Sequence, residues 1–194
     1  DLMRFAVMGG GSWGTAFSMV LADAGNEVTL WTREQSAADA ITATHENPRY
    51  HPGIALPDQI RATTDPAVAL DGAEVVILAV PSQTLRENLT GWSQHLRPDA
   101  VLVSLMRGIE LGTTYRMTEV VVEVAQVSHD QVAVVSGPNL AREIAQRQPA
   151  ATTVACADEA VARMLVDCTT VPYFRPYWTT DVVGTELGGS VKNV

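Results

Sequence analysis

Three glycines near the amino terminus have the spacing of a phosphate-binding turn. The strand-like run 4–8, apolar after Arg4, leads into a G-x-G-x-x-G segment, which then enters a helical pattern. Gly9 would allow a tight turn, Gly11 a close approach of the backbone to a pyrophosphate, and Gly14 the packing of helix against strand. Unpaired amides at the start of the helix would bind the negative charge. The sequence therefore predicts a dinucleotide site, formed here by Gly9, Gly11, Ser12, Trp13 and Gly14.

The end of the second predicted strand bears on which dinucleotide is bound. An acidic side chain about 20 residues after the glycines usually bonds the ribose hydroxyls of NAD. This strand instead ends at Thr32 and Arg33, and a guanidinium suits a 2′-phosphate, so we expect NADPH to be preferred or at least accepted beside NADH. Glu34 could take the acidic role, which keeps NADH open. Tyr50 and Arg49, in a proline-rich loop, either cover the cofactor or are ordinary loop residues.

Alternating strand and helix patterns must position these residues. Near-continuous apolar runs typical of buried strands are separated by segments with apolar residues at helical spacing. The predicted strands in the first two-thirds of the chain are 4–8, 27–31, 74–80, 101–106 and 132–135. The alternation continues to residue 178, and a last helix is predicted from residue 180. We therefore expect an α/β fold, a doubly wound Rossmann-type parallel sheet with helices on both faces.

Composition and charge argue against several classes of protein. The 194 residues carry a formal net charge of −9, which opposes nucleic acid or an anionic membrane as a partner. No apolar run reaches the roughly 18 to 20 residues that cross a bilayer, and no signal-peptide pattern is present, so we expect a cytoplasmic protein without stable membrane insertion. Cys156 and Cys168 lack C-x-x-C spacing, and we expect reduced thiols. The four histidines, His51 among them, are expected at the surface or at helix caps, with no metal site.

Six segments together resemble the NAD(P)-dependent sn-glycerol-3-phosphate dehydrogenase family in its bacterial form. They are GGGSWGT at 9–15, NPRY at 47–50, AVPSQ at 79–83, SLMRG at 104–108, SGPNLA at 136–141 and ELGGSVKNV at 186–194. The resemblance implies an enzyme that uses NADPH or NADH to reduce dihydroxyacetone phosphate to sn-glycerol 3-phosphate for phospholipid synthesis. It also implies a second, all-helical domain. We expect residues 1–179 to bind the cofactor and residues 180–194 to be the first helix of that domain, whose remainder this chain lacks.

The same resemblance implies roles for residues near the carboxyl ends of the strands. Lys192 becomes the acid that protonates the carbonyl oxygen as hydride reaches the carbon, a role suited to an amine with a lowered pKa. Arg107 stands where the family pattern has a second lysine. As a second catalytic residue, it keeps a cation that can hold a phosphate of cofactor or substrate or the developing alkoxide. A guanidinium does not deprotonate, so we expect anion binding with impaired turnover. Gly137 and Asn139, with Arg107 and Lys192, would bind a small phosphorylated substrate, and Ala141 would lie beside the nicotinamide.

Plain structural roles stay open for several of these residues, and other functions stay open for the chain. Lys192 at a helix end is ordinarily solvated, Arg107 is ordinarily a surface residue, and Asn139 is a good helix N-cap. The alternative functions are a related two-domain dehydrogenase of a hydroxy acid or sugar acid, and a nucleotide-binding module without catalysis. We expect a homodimer for the full-length protein. The present chain alone is expected to bind cofactor weakly and to turn over little, because one wall of the substrate cleft is missing.

Overall fold

The computed structural model describes residues 3–136 and 141–191, the last three of these without their side chains. Within these ranges the strands are β1 (Arg4–Met8), β2 (Glu27–Trp31), β3 (Ile60–Thr63), β4 (Val75–Leu78), β5 (Val101–Ser104), β6 (Val132–Ser136), β7 (Ala150–Cys156) and β8 (Phe174–Thr179). The α-helices are α1 (Ser12–Asp23), α2 (Gln35–Thr44), α3 (Pro66–Leu70), α4 (Leu85–Trp92), α5 (Met117–Ala125), α6 (Ala141–Ala145), α7 (Glu159–Thr169) and α8 (Val182–Val191).

The strands form one sheet in the order β3-β2-β1-β4-β5-β6-β7-β8. The first six are parallel neighbours in the Rossmann order, which confirms the expected doubly wound fold. The side chains of β1 alternate between two cores. Phe5 and Val7 pack with α1, α6 and α7 on one face, and Ala6 and Met8 pack with α3, α4 and α5 on the other. Helices therefore cover both faces of the sheet.

The last two strands depart from the expected parallel arrangement. β7 runs antiparallel to β6, with Ser136 opposite Thr153, and β8 is parallel to β7. The described part of α6 has five residues and rises about 7.5 Å, whereas a five-residue strand such as β6 is about 16 Å long. The described part of this helix is too short to return the chain to the amino ends of the parallel strands. β7 therefore starts beside the carboxyl end of β6 and runs backwards.

Sequence reasoning missed β3 and α3. Of the four residues of β3, only Ile60 is buried, so the apolar pattern that marks a strand is weak. The start of α3 does carry a signal, because Asp65 accepts a hydrogen bond from the amide of Ala67 at 2.9 Å and Pro66 follows it. An aspartate at the N-cap followed by proline is a recognised helix start. That pattern could have predicted α3.

Three sequence expectations concern membranes, metals and thiols. Among the described residues, no helix is long and apolar enough to cross a membrane. No group of three or more His, Cys, Asp or Glu side chains within the same ranges is placed to hold a metal ion. Both cysteines are free thiols, Cys156 buried on β7 and Cys168 half-buried on α7. The two thiols therefore act as packing residues.

The last helix, α8, is fastened to the start of α5 by a buried carboxylate. Glu186 is 5% exposed and accepts hydrogen bonds from the amide and hydroxyl of Thr118, at 3.1 and 2.8 Å, and from the Arg116 guanidinium at 3.1 Å. Thr118 lies in the first turn of α5, so the carboxylate meets the positive end of that helix dipole. Burial raises the pKa of Glu186, and the donors on Thr118 and Arg116 oppose that rise.

We expect Glu186→Ala to lower the free energy of unfolding by about 3 kcal/mol, because it removes a buried acceptor from Thr118 and Arg116. Urea unfolding at neutral pH measures the loss. Glu123→Ala is the matched control, since the Glu123 side chain is 51% exposed and pairs with Arg86 at 2.7 Å. Because that pair is exposed, Glu123→Ala should lower the free energy of unfolding by less than about 1 kcal/mol. Equal losses in the two variants would contradict a stabilising role for the buried carboxylate.

Candidate functional site

The G-x-G-x-x-G segment forms the turn between β1 and α1. Gly9 has a φ of +135°, and a side chain there would collide with the carbonyl of Ala79. Gly14 lies so close to the Gly9 carbonyl that a Cβ has no room. Backbone packing therefore requires both glycines. Gly11 differs, because a Cβ at that position would meet no atom within 4 Å.

The glycine turn opens into a cleft of about 890 Å³ at the carboxyl ends of the parallel strands. Further lining comes from the ends of β2, β4 and β5, from α2 and from the loop that follows α2. The cleft brings together seven of the predicted cofactor residues: Gly9, Gly11, Ser12, Trp13, Arg33, Tyr50 and Arg107. Residues far apart in sequence thus meet at the sheet edge where doubly wound folds bind ligands.

Two other predicted site residues, Gly14 and Ala141, do not line the cleft. Gly14 lies behind the turn, against the Gly9 carbonyl. Ala141 is not among the lining residues, and it is packed, partly buried, against the core cluster that includes α1. Gly137, Asn139 and Lys192 lie outside the described residues, so their roles stay predictions.

One end of the cleft combines two cations with one anion. The Glu34 carboxylate lies 3.5 Å from the Arg33 guanidinium and 3.9 Å from that of Arg49. The Arg49 guanidinium also lies over the ring of Tyr50, 5.4 Å from its centroid. The Arg33 and Arg49 side chains are 84% and 70% exposed, so these ion pairs are weak and can exchange partners. The two guanidinium groups suit the 2′-phosphate of NADPH, and the carboxylate suits the ribose hydroxyls of NADH. The charges at this end of the cleft are therefore compatible with either cofactor.

At the other end, Arg107 follows β5 in a loop that is held by side chains of α4 and the turn before it. The amide group of Gln83 donates to the carbonyl of residue 109 at 3.0 Å, and its oxygen accepts from the amide of residue 111 at 3.0 Å. Arg86 donates to both carboxylate oxygens of Glu110 at 3.0 to 3.3 Å. The hydrogen bond from Arg86 is the main reason that the pKa of Glu110 is lowered. The backbone around Arg107 is therefore fixed on its carboxyl-terminal side.

Sequence reasoning missed the buried polar residues behind the glycine turn. Asn47, 2% exposed, donates to the carbonyl of Gly10 and to the hydroxyl of Thr15, both at 2.9 Å. His51, 3% exposed, places Nε2 2.8 Å from the carbonyl oxygen of Ser12. The expectation that His51 lies at the surface or at a helix cap is wrong, because the loop folds back onto α1 and buries the imidazole. The NPRY motif at residues 47–50 marks this loop in the sequence. The motif does not show which residues the loop contacts.

The fold and the cleft define a dinucleotide-binding domain of the Rossmann type. The profile of the family described as NAD-dependent glycerol-3-phosphate dehydrogenase N-terminus matches residues 4–162. The chain therefore belongs to the NAD-dependent glycerol-3-phosphate dehydrogenase family and corresponds to its N-terminal part. The resemblance inferred from the sequence motifs is confirmed.

Individual relatives agree with this assignment. Glycerol-3-phosphate dehydrogenase (NAD(P)+) of Streptomyces griseus subsp. griseus is 64% identical over 192 residues, which are 99% of this chain and 57% of the relative. The enzyme of the same name from Thermobifida fusca is 56% identical over 194 residues, 100% of this chain and 58% of the relative. The crystal structure of glycerol-3-phosphate dehydrogenase from Coxiella burnetii superposes with a TM-score of 0.89 at 34% identity, covering 97% of this chain and 57% of that one. The chain thus spans little more than half the length of these relatives.

Proposed function

We propose that this chain is the cofactor-binding domain of an enzyme that reduces dihydroxyacetone phosphate to sn-glycerol 3-phosphate with NADPH or NADH. The observation that carries the proposal is the single cleft that joins the glycine turn, the Arg33 and Arg49 guanidinium groups and Arg107. Three anionic groups have to be bound in this reaction: the cofactor's pyrophosphate, its 2′-phosphate where present, and the substrate phosphate. The cleft offers backbone amides or a guanidinium for each of them.

Different residues of this chain would bind different parts of the cofactor and the substrate. Amides of the glycine turn and of the first turn of α1 would hold the pyrophosphate, with Ser12 and Trp13 beside it. Tyr50 and Arg33 would contact the adenosine portion, and Ala141 would lie beside the nicotinamide. When bound, the cofactor supplies the hydride. Gly137 and Asn139 would orient the substrate carbonyl.

Arg107 and Lys192 would have different tasks because their side chains differ in acidity. The Arg107 guanidinium stays protonated at any ordinary pH, so it would bind the substrate phosphate or the developing alkoxide without giving up a proton. An ammonium group can donate a proton, so we assign protonation of the carbonyl oxygen to Lys192. A boundary near residue 179, a cytoplasmic location and a homodimeric full-length protein are further parts of the proposal.

Calorimetric titration of the chain with NADPH and NADH tests the cofactor assignment, and turnover is tested separately. We would continue the chain at Val194 with the remaining carboxyl-terminal part of the S. griseus relative, and follow NADPH absorbance with dihydroxyacetone phosphate. We expect binding in both forms and turnover only in the extended one. Binding without turnover in the extended form would favour a nucleotide-binding module without catalysis. No binding in either form would overturn the proposed function.

We expect Glu34→Gln to raise the affinity for NADPH relative to NADH by about five- to tenfold at low salt. The substitution removes a negative charge that neighbours both Arg33 and Arg49, and it takes away an acceptor for ribose hydroxyls. Calorimetry with both cofactors measures the ratio, and added salt should reduce the effect because the groups are exposed. Glu27→Gln is the matched control, since its side chain is 47% exposed and pairs with Arg4 at the opposite edge of the sheet. An unchanged ratio in Glu34→Gln would show that Glu34 has no part in cofactor choice.

A further inference from the structure

The segment from Asn47 to His51 is a single tight turn that is anchored at both ends. The backbone carbonyl of Asn47 accepts hydrogen bonds from the amides of Tyr50 and His51, at 3.3 and 2.9 Å. The turn therefore holds its first and fifth residues in a fixed relation. Both of their side chains are buried against the glycine turn and α1. Asn47 also lines the cleft, together with Arg49 and Tyr50 that follow it, whereas His51 is not among the lining residues.

Asn47 fixes the glycine turn directly. Its side-chain nitrogen has two hydrogens, and it donates one to the carbonyl of Gly10 and one to the hydroxyl of Thr15, which is fully buried. Thr15 in turn donates to the same Gly10 carbonyl at 3.3 Å. Glycine-rich backbone has more freedom to lose on binding than any other, so a contact that orders it in advance favours binding.

His51 fixes the first turn of α1. The carbonyl oxygen of Ser12 can only accept, so the Nε2 atom of His51 at 2.8 Å must carry the hydrogen. The hydroxyl of Ser12 lies 3.4 Å from the same nitrogen. The helix start that would face the pyrophosphate is thus held by a residue 39 positions further along the chain.

We propose that Asn47 and His51 are positioning residues that fix the glycine turn and the Arg49–Tyr50 wall of the cleft relative to each other. They act through Gly10, Ser12 and the residues between the two anchors. The cofactor then meets a preformed site and does not have to order two separate loops. This inference rests on the proposed function, because it concerns the same dinucleotide site.

The decisive experiment compares Asn47→Ala with Asn26→Ala by calorimetric titration of the chain with NADPH. Asn26 is the matched control, since it is 4% exposed and also donates twice, to the carbonyls of Leu21 and Cys168 at 3.0 and 2.8 Å, away from the cleft lining. Both variants should lose stability. Only Asn47→Ala should weaken NADPH binding, by about tenfold, at a temperature where circular dichroism shows both to be folded.

Two more variants separate positioning from packing. Asn47→Asp keeps the size of the side chain but cannot donate when ionised, so it should weaken binding at least as much as Asn47→Ala. His51→Leu should weaken binding several-fold, and His51→Gln, whose amide nitrogen can reach the place of Nε2, should restore it to within about twofold. Equal NADPH affinity in Asn47→Ala, His51→Leu and the unaltered chain would overturn this inference alone. Failure of the unaltered chain to bind NADPH or NADH would overturn the proposed function with it.

Discussion

Gly11→Val should leave the fold intact and reduce the affinity for NADPH at least 100-fold. Gly11 is the residue before α1, with φ −76° and ψ −165°, an extended conformation that any residue adopts. A Cβ there meets no atom within 4 Å, so a side chain can start at this position without a clash. It would instead fill the space above the first turn of the helix, where a pyrophosphate must approach the amides. Calorimetry measures the affinity, and urea unfolding measures the stability.

Gly91→Ala is the control for this prediction. Gly91 is also a glycine whose Cβ would meet no atom within 4 Å, and it lies in the last turn of α4, away from the cleft lining. Alanine there should raise stability by a few tenths of a kcal/mol and leave cofactor binding unchanged. An NADPH affinity of Gly11→Val equal to that of the unaltered chain would show that the pyrophosphate does not approach this glycine. A large loss of stability in Gly11→Val would show instead that the space is not free.

The contrast between Gly11 and Gly14 shows which parts of a site a sequence can predict. The motif spacing assigns one glycine to ligand approach and another to close packing, and the structure places them as that assignment requires, with open space at Gly11 and a backbone carbonyl against Gly14. These are local relations within six residues, so the pattern contains them. The parallel order of β1 to β6 is also predictable, because buried strands that alternate with helices have few other arrangements.

Long-range contacts account for what the sequence did not predict. Asn47 and His51 look like ordinary loop residues until the loop folds onto α1, 32 to 39 positions away in the chain. The reversal at β7 depends on the segment that contains α6, in which the structure describes five helical residues. At the sheet edge, β3 exposes too much of its surface to show an apolar run. Each of these features depends on contacts with residues far away in the chain more than on the sequence of the segment itself.

Three charged side chains at one end of the cleft bear on the choice between NADPH and NADH. The sequence could not decide whether Arg33 or Glu34 determines the preference, because both are flexible and one residue apart. Their side chains contact each other, and Arg49 joins them from the NPRY loop. We therefore expect the balance between a 2′-phosphate and a pair of ribose hydroxyls to depend on these three exposed side chains.

Lys192→Met should reduce kcat about 1000-fold in the extended enzyme while leaving the affinity for NADPH within twofold, since general acid catalysis contributes factors of about 100 to 10,000. The chain contains 13 lysines and arginines, of which Lys192 is the single lysine. It is therefore the one lysine ammonium group of this chain that could donate the proton, because the guanidinium groups of the other 12 basic residues do not deprotonate. Arg163→Met is the control, as that side chain is 61% exposed on α7.

Lys192→Arg separates the charge of this residue from its proton. An arginine keeps a cation beside the substrate but does not release a proton, so a residue that only binds the phosphate would tolerate the exchange, whereas a proton donor would not. We expect kcat of Lys192→Arg to stay close to that of Lys192→Met, with KM nearer to the unaltered value. The pH profile gives a second readout, since kcat of the unaltered enzyme should fall as pH rises through the pKa of the donor, and neither variant should show that fall. Turnover within tenfold of the unaltered enzyme in Lys192→Arg would assign to this residue a binding role and leave the donor to be sought in the carboxyl-terminal part.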